Sequence, residues 1–525
     1  MPRFQIAIFV ALLAHGIYAQ SDRVLTLPPG DAKFKITQGS TFAASGGRKT
    51  EEPVDTPAPA IKSISSDLGE LIKVVRNNHV SGGTLQTQAL VGAAISSMLE
   101  QLDPHSNYYD PDAHKELIDD QQGRYSGVGT LISSYSRNGV VDTYVLGVSK
   151  NTPAERAGLR FGDRIVEVNG QTVSGLDSLE VRDRIRGPLG STTLLTIERG
   201  DGSIVRNIPL RREQVSQSSV TTSLLLDGGV GFLALTEGFG YTTLAEFNSA
   251  FLSLKQKGMR SLVLDLRGNG GGLMDQAIRI AERFLPAGQT IVSQRGRHAA
   301  EDRVWKSTNA NPERLPLVLL VDKDTASASE IIAGAMQDND RATIIGERTY
   351  GKGLVQDIIP LADGSMLTLT TERYYTPSGR SIQREYSDKG LYDYFRHTQT
   401  GELIDRPSVA VRTKNGRVVF GGNGIEPDAQ VKGFELTSQR SELIDTLFFF
   451  LRTEGTGLGQ DELLKRFCVR ERTSAKCAED LAFIRSQLAQ FGSYKAGSDE
   501  SMQKTVLTVD PQVEAALRIL RGPRP

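Results

Sequence analysis

Two apolar runs, each closed by a turn of small residues and followed by a helical pattern, restrict this chain more than any other feature. The first is Ser261-Leu-Val-Leu-Asp-Leu-Arg267, which ends in Gly268-Asn-Gly-Gly-Gly272 and predicts a helix over 273–284. The second is Leu317–Val321, followed by the turn that holds Ser327 and by Ile331, Ile332, Ala335 and Met336 on one helical face. A further strand, Val230–Leu235, precedes a helical pattern near 243–257. Strand alternating with helix in this way argues an α/β core.

Chemistry gathers around the second run. Ser327 lies where a strand turns into a helix, near the positive end of the helix dipole. That position favours an oxyanion formed beside it. Lys352 lies between Gly351 and Gly353, which let backbone pack close, and Gln356 follows four residues on. In an extended segment residues four apart face the same side, so Lys352 and Gln356 are expected to converge. A serine becomes a nucleophile only when a base takes its proton, and no histidine lies between His298 and His397. A lysine serves if it is neutral. Burial lowers its ordinary pKa of about 10.4 by several units, and three units correspond to roughly 4 kcal/mol. The plainer reading of Ser327…Glu330 is a helix capping box, and a lone lysine in a strand is ordinarily a solvated edge.

The run Ser327-Ala-Ser-Glu-Ile-Ile-Ala-Gly-Ala-Met-Gln-Asp-Asn-Asp-Arg-Ala, followed by Ile345-Gly-Glu-Arg-Thr-Tyr-Gly-Lys-Gly-Leu-Val-Gln, resembles the C-terminal processing peptidases, or tail-specific serine proteases. In that family a lysine follows the serine at twenty-five positions and a glutamine four later, the spacing of Ser327, Lys352 and Gln356. Ser329, the local rival nucleophile, misses that spacing. The resemblance runs from about residue 62 to 435. It implies a crotonase-like α/β protease core with an inserted PDZ β-sandwich-like domain and flanking helices. It also implies an oxyanion hole from the N–H groups of Gly271 and Ala328. The family carries proline where this chain has Gly270, which is expected to loosen that turn. The Gly-rich turn lacks the Lys-Ser/Thr of a phosphate-binding loop, which argues against nucleotide.

Residues 119–214 resemble a PDZ domain, most strongly over Thr152-Pro-Ala-Glu-Arg-Ala-Gly-Leu-Arg-Phe-Gly-Asp-Arg-Ile-Val-Glu-Val-Asn-Gly170. The loop Tyr125, Ser126, Gly127, Val128, Gly129 is expected to hold a peptide's C-terminal carboxylate on its N–H groups, with the next strand edge accepting the peptide. Val128, Leu131 and Leu159 are expected to line an apolar pocket beside it. Arg186 matches a family arginine that couples peptide binding to the active site; its plainer reading is a surface arginine.

The remaining segments frame this core. Residues 1–19 read as a signal peptide, with an uncleaved N-terminal anchor as the alternative, and 20–61 as a flexible linker. A helical region over 62–118 carries Leu68, Leu71, Ile72 and Val75 on one face and Leu90, Ala93, Ala94, Met98 and Leu102 on another, then breaks at Asp103-Pro-His-Ser106. His105 reads as a turn or packing residue, and in some relatives this region helps build a homodimer. Residues 215–435 form the protease core, with a polar insertion over 383–419 that is either a lid or a surface loop. Residues 436–525 read as helical, either a cap or dimerisation element or padding on the core.

With 61 basic and 62 acidic residues the chain has no nucleic-acid footprint. The two cysteines, Cys468 and Cys477, either pair after export or remain free thiols, and no spacing suggests a metal. The expectation is an exported Ser/Lys endopeptidase, periplasmic or extracellular, that needs no cofactor and takes protein or peptide substrates with free C-termini. A PDZ-type binding scaffold with an inactive core is the alternative. A non-peptide acyl hydrolase is a further one.

Overall fold

The computed structural model describes residues 58–298, 302–384, 410–454, 458–470, 474–497 and 500–522. The expected signal peptide, nearly all of the linker and most of the 383–419 insertion lie outside the described residues.

Its centre is a six-stranded sheet in the order Thr222–Leu226, Val230–Ala234, Ser261–Asp265, Leu317–Val321, Thr343–Gly346, Ala429–Gln430. The first pair is antiparallel and every later pair is parallel. Side chains alternate between two cores, as the pleat requires. Leu262, Leu264, Leu317 and Leu319 point toward the helices Thr243–Gln256, Met274–Glu282 and Ala328–Asp338. Val263, Val318, Leu320 and Ile345 point the other way, against Leu507, Val513, Ala516 and Leu517 of the last two helices, Glu500–Thr508 and Pro511–Arg521. Burial on both faces is why these strands are apolar throughout. The turns that follow Asp265 and Val321 therefore meet at the carboxyl end of the parallel strands, where open α/β sheets place their sites.

A second, antiparallel sheet flanks that end. Met366–Tyr375 pairs with Leu354–Pro360, with Thr290–Gly296 and with Asn107–Tyr109, just after the Asp103-Pro-His-Ser106 turn.

The inserted module holds the sheet Thr130–Arg137, Val140–Val148, Arg164–Val168, Thr192–Glu198, Ile204–Arg211, with Thr130–Arg137 at its edge and the helix Ser178–Ile185 against it. Chain entry and exit pair with each other, Arg124–Gly127 on Glu213–Ser216. One face of this sheet forms the module's own core; the other is covered by helices from the C-terminal region. Tyr135 stacks on Phe448 at 3.8 Å between centroids, and Tyr144 and Leu146 join the same cluster. The C-terminal helices therefore contact both the inserted module and the central sheet. Cys468 and Cys477 form a disulfide, which settles the open alternative for this pair.

The N-terminal helices, Ala58–Asn78 and Thr87–Glu100, turn out differently from the periodicity. Leu71, Met98 and Leu102 are each more than half exposed, while Leu99 is buried. Apolar spacing marks a face for burial but does not name the surface that buries it.

Candidate active site

Ser327 is the N-cap of the helix Ala328–Asp338 and has φ 55° and ψ −117°. Every other non-glycine residue at positive φ among the described residues is an asparagine or aspartate. Those side chains tolerate that region, whereas a serine there is strained by about 1–3 kcal/mol and must be held by its surroundings.

The restraints are visible. Thr325 Oγ1 donates to the Leu266 carbonyl at 2.9 Å, and the Ala326 N–H donates to the Asn269 carbonyl at 2.9 Å. Asp322 accepts from the N–H groups of Gly268 and Thr325 at 2.9 Å each. The two strand-end turns are thus laced together. A Cβ added to Gly271 would lie 2.7 Å from Ser327 Cβ and 2.9 Å from the Ala328 nitrogen, so only glycine fits there.

The Gly-rich turn is more ordered than Gly270 suggests. Asn269 is fully buried and donates to the carbonyls of Leu235 and Glu237 at 2.6 Å each, and its Oδ1 accepts the Gly271 N–H at 2.9 Å. These bonds hold the turn from both sides of Asn269. They also occupy the Gly271 N–H that the resemblance assigns to an oxyanion. The N–H groups of Ala328 and Gly272 have no acceptor among the described residues.

Glu330 organises the rest. It is wholly buried. Its Oε2 accepts the Ser327 N–H at 2.8 Å and the Lys352 N–H at 2.9 Å. Its Oε1 accepts the Gly351 N–H at 2.8 Å and the Thr349 hydroxyl. One carboxylate oxygen therefore holds the backbones of both Ser327 and Lys352. Burial pushes the Glu330 pKa up to about 7 against these four hydrogen bonds. The Tyr374 hydroxyl closes the other side, reaching the carbonyls of both Ser327, at 2.9 Å, and Lys352. The capping-box spacing pointed to the Glu330 bond with Ser327; its hold on Lys352, and the whole role of Tyr374, carried no local signal.

Lys352 is buried between its glycines as expected, at 8 % exposure. A Cβ on Gly351 would meet the Gly424 nitrogen at 3.0 Å, and one on Gly353 the Gln383 nitrogen at 3.0 Å. No hydrogen bond joins the Ser327 hydroxyl to Lys352. The backbones are joined, while the side chains of the pair are not hydrogen-bonded.

Gln356 is paired with Thr370 of the neighbouring strand. The strand begins only at Leu354, and its register with Met366–Tyr375 shifts between Val355 and Gln356. The extra residue at that shift is Thr371, on the Met366–Tyr375 side, so the strand that carries Gln356 keeps its own alternation. Gln356 Nε2 donates to Thr370 Oγ1 at 3.2 Å, and that hydroxyl donates to Asp103 Oδ1 at 3.0 Å. Asp103 also accepts from the N–H groups of His105 and Ser106. This brings His105 into the site's surroundings. It is buried, and burial first, then the positive charges of Lys352 and Arg384, hold its pKa well below the ordinary value, so the imidazole is neutral.

In the inserted module, Tyr125, Ser126 and Gly127 belong to the entry–exit ribbon rather than to an open loop. Val128 and Gly129 follow it, and their N–H groups have no acceptor among the described residues, beside the edge strand Thr130–Arg137. Val128 and Leu159 are buried in the module's core and Leu131 packs toward the C-terminal helices, so these side chains do not form the expected apolar pocket. The Arg186 guanidinium lies over the Tyr125 ring, 5.5 Å from its centroid, which ties it to the ribbon. Among the described residues no group of three or more His, Cys, Asp or Glu is arranged to hold a metal ion.

Comparison with known proteins places this geometry among relatives. Residues 229–392 match peptidase family S41 and residues 144–199 match a PDZ domain. The chain is 37 % identical over 320 residues to the carboxy-terminal-processing protease of Bartonella bacilliformis, covering 60 % of this chain and 71 % of that protein. It is 34 % identical over 323 residues to the chloroplastic C-terminal processing peptidase of Tetradesmus obliquus, covering 59 % of this chain and 69 % of that one. It is 33 % identical over 298 residues to the carboxy-terminal processing protease CtpA of Bacillus subtilis, covering 56 % and 62 %.

Proposed function

The chain belongs to peptidase family S41 and is a serine peptidase of the carboxy-terminal-processing kind, and from that premise we propose which residues do the work. Ser327 Oγ attacks the scissile carbonyl. The Lys352 amine takes the hydroxyl proton and passes it to the leaving amine, giving an acyl-enzyme that water then hydrolyses. The observation that carries this reading is Glu330 Oε2, which accepts the backbone N–H of both residues and so holds nucleophile and base on one atom. The dyad hydrogen bond is left to form when substrate seats, as catalytic hydrogen bonds often do.

The Ala328 N–H is one oxyanion donor, worth about 3 kcal/mol in the transition state. The second comes from the Gly270–Gly272 turn. Gly271 shares its N–H between Asn269 and the oxyanion, with the Gly272 N–H beside it. Gln356 acts through Thr370 and Asp103 to hold the second sheet rather than by touching Lys352.

The PDZ domain captures the substrate's C-terminal carboxylate on the N–H groups of Val128 and Gly129, and the tail adds as a strand along Thr130–Arg137. Tyr125, Ser126 and Gly127 anchor that turn, and Arg186 on Tyr125 is the element through which occupancy reaches the active site. The sheet arrangement supports the crotonase-like reading of the core. The disulfide supports export to an oxidising compartment, and no described helix is long and apolar enough to cross a membrane. The exposed Leu71, Met98 and Leu102 support self-association of the N-terminal helices.

The test is cleavage of an unfolded peptide with a free C-terminus by the wild type, Ser327→Ala and Lys352→Ala. Both variants are expected to lose turnover. Amidating the C-terminus is expected to raise KM. Equal turnover by wild type and Ser327→Ala would remove Ser327 as the nucleophile, and no turnover by either would leave a binding scaffold as the reading.

A further inference from the structure

The C-terminal region carried no functional motif in the sequence, yet its last helix reaches the site. Arg267 stands immediately before the Gly268–Gly272 turn, and its guanidinium is gripped from two sides. Asp265, at the end of the central strand Ser261–Asp265, takes Nε at 2.9 Å and one terminal nitrogen at 2.6 Å in a bidentate pair. Asp510 and Gln512 take the other terminal nitrogen at 2.7 Å and 2.8 Å. Asp510 is the N-cap of Pro511–Arg521 and accepts the N–H groups of Gln512 and Val513, so its carboxylate is fixed by the helix it starts. Gln512 is buried and donates to the Val431 carbonyl at 2.7 Å. Val513, Ala516 and Leu517 bury that helix against the central sheet.

From Arg267 the connection runs directly to the nucleophile. Asn269, two residues on, accepts the Ala326 N–H on its carbonyl and the Gly271 N–H on its side chain. A shift of the Arg267 end moves the turn against Ser327. The ordinary role for such a cluster is to fasten a terminal helix. That role does not require both acceptors to converge on the one residue that opens the glycine turn.

We propose that Asp510 and Gln512 are positioning residues for the Gly268–Gly272 turn, acting through Arg267. The inference rests on the reading of that turn as the oxyanion side of a Ser327 peptidase. The C-terminal region is then part of the catalytic apparatus.

Asp510→Ser keeps a helix-capping side chain but no longer reaches Arg267, and Asp510→Asn keeps the cap on its one amide oxygen while its NH2 group replaces the oxygen that Arg267 uses. Each is measured in the full-length chain by hydrogen exchange over residues 266–273, by kcat and KM on a free-tailed peptide, and by affinity for a peptide aldehyde. The expected result for Asp510→Ser is faster exchange in the turn and a kcat lowered about ten- to a hundredfold. KM stays within about twofold, and aldehyde affinity falls in step with kcat. Asp510→Asn, which puts a donor against Arg267, is expected to show the same split. Arg267→Lys, too short to span Asp265 and Asp510, should repeat the split if Asp510→Ser folds poorly.

A loss of thermal stability with unchanged kcat and unchanged exchange would overturn the proposal. If the wild type shows no Ser327-dependent cleavage, the peptidase assignment fails by itself. The exchange result then still decides whether Asp510 positions the turn.

Discussion

Glu330→Gln separates what the buried carboxylate does for stability from what it does for catalysis. In the wild type burial raises the pKa from 4.5 to about 7, a difference of about 3 kcal/mol between the two protonation states. Because the folded value is the raised one, the fold holds the extra proton between those limits. The stabilisation is full below about pH 4.5 and is lost as pH rises through about 7. The amide cannot ionise and lacks this slope. It also cannot serve four donors, because whichever way it turns an NH2 group faces the Gly351 N–H or the pair from Ser327 and Lys352. One unsatisfied buried donor costs about 1–3 kcal/mol. At pH 5 the variant should therefore be less stable by about that amount. By pH 8 the wild type has lost its about 3 kcal/mol and the two should be nearly level. Urea unfolding followed by the single tryptophan, Trp305, which packs against the core that holds the site, measures both curves. Across the same range kcat should be at least about tenfold lower in the variant, since the two backbones no longer share an acceptor. Parallel stability curves would refute the buried-carboxylate reasoning, and an undiminished kcat would refute the positioning role.

Two other outcomes follow from geometry. Gly271→Ala puts a methyl 2.7 Å from Ser327 Cβ at a φ of 102°, so kcat on a tail peptide should fall more than about a hundredfold while the protein stays folded by circular dichroism; near-normal kcat would place the oxyanion elsewhere. The double variant Cys468→Ser, Cys477→Ser opens a loop with a sequence separation of 9 and should lose about 2–3 kcal/mol in the C-terminal helices, read as a lower unfolding midpoint that reductant reproduces in the wild type only.

The central sheet was legible because its strands are buried on both faces and therefore apolar without interruption, and because Gly268–Gly272 and Thr325–Ser327 punctuate them. The closeness of the Ser327 and Lys352 backbones, both held by Glu330, fits the family spacing, and the capping-box spacing marked Glu330 itself. The hydrogen bond of Gln356 with Thr370 was not legible, because the pairing of Leu354–Pro360 with Met366–Tyr375 is a property of two strands and leaves no trace in one of them. The occupied N–H of Gly271 was hidden for a related reason: the Asn269 side chain that accepts it is held by the carbonyls of Leu235 and Glu237, from another strand's end. The C-terminal helices showed their amphipathic faces clearly. Nothing local could say that one group would cover Tyr135 and Tyr144 and the other Val263 and Leu320.

The site's economy lies in which atoms it uses for holding. Ser327 and Lys352 are fixed through main-chain N–H groups on Glu330 and main-chain carbonyls on Tyr374, so these four bonds use neither side chain of the proposed dyad. A serine at φ 55° would relax if only one of these held it, since a single hydrogen bond contributes about 1 kcal/mol against a strain of about 1–3 kcal/mol. Two clamps on opposite sides, with the laced turns at Thr325 and Ala326, exceed that strain. The fold then tolerates a carboxyl whose burial favours its neutral form, because removing the acceptor would strand several buried donors at once. Strain at Ser327 and the displaced pKa of Glu330 are thus two consequences of the same requirement, and they should respond together when either clamp is cut.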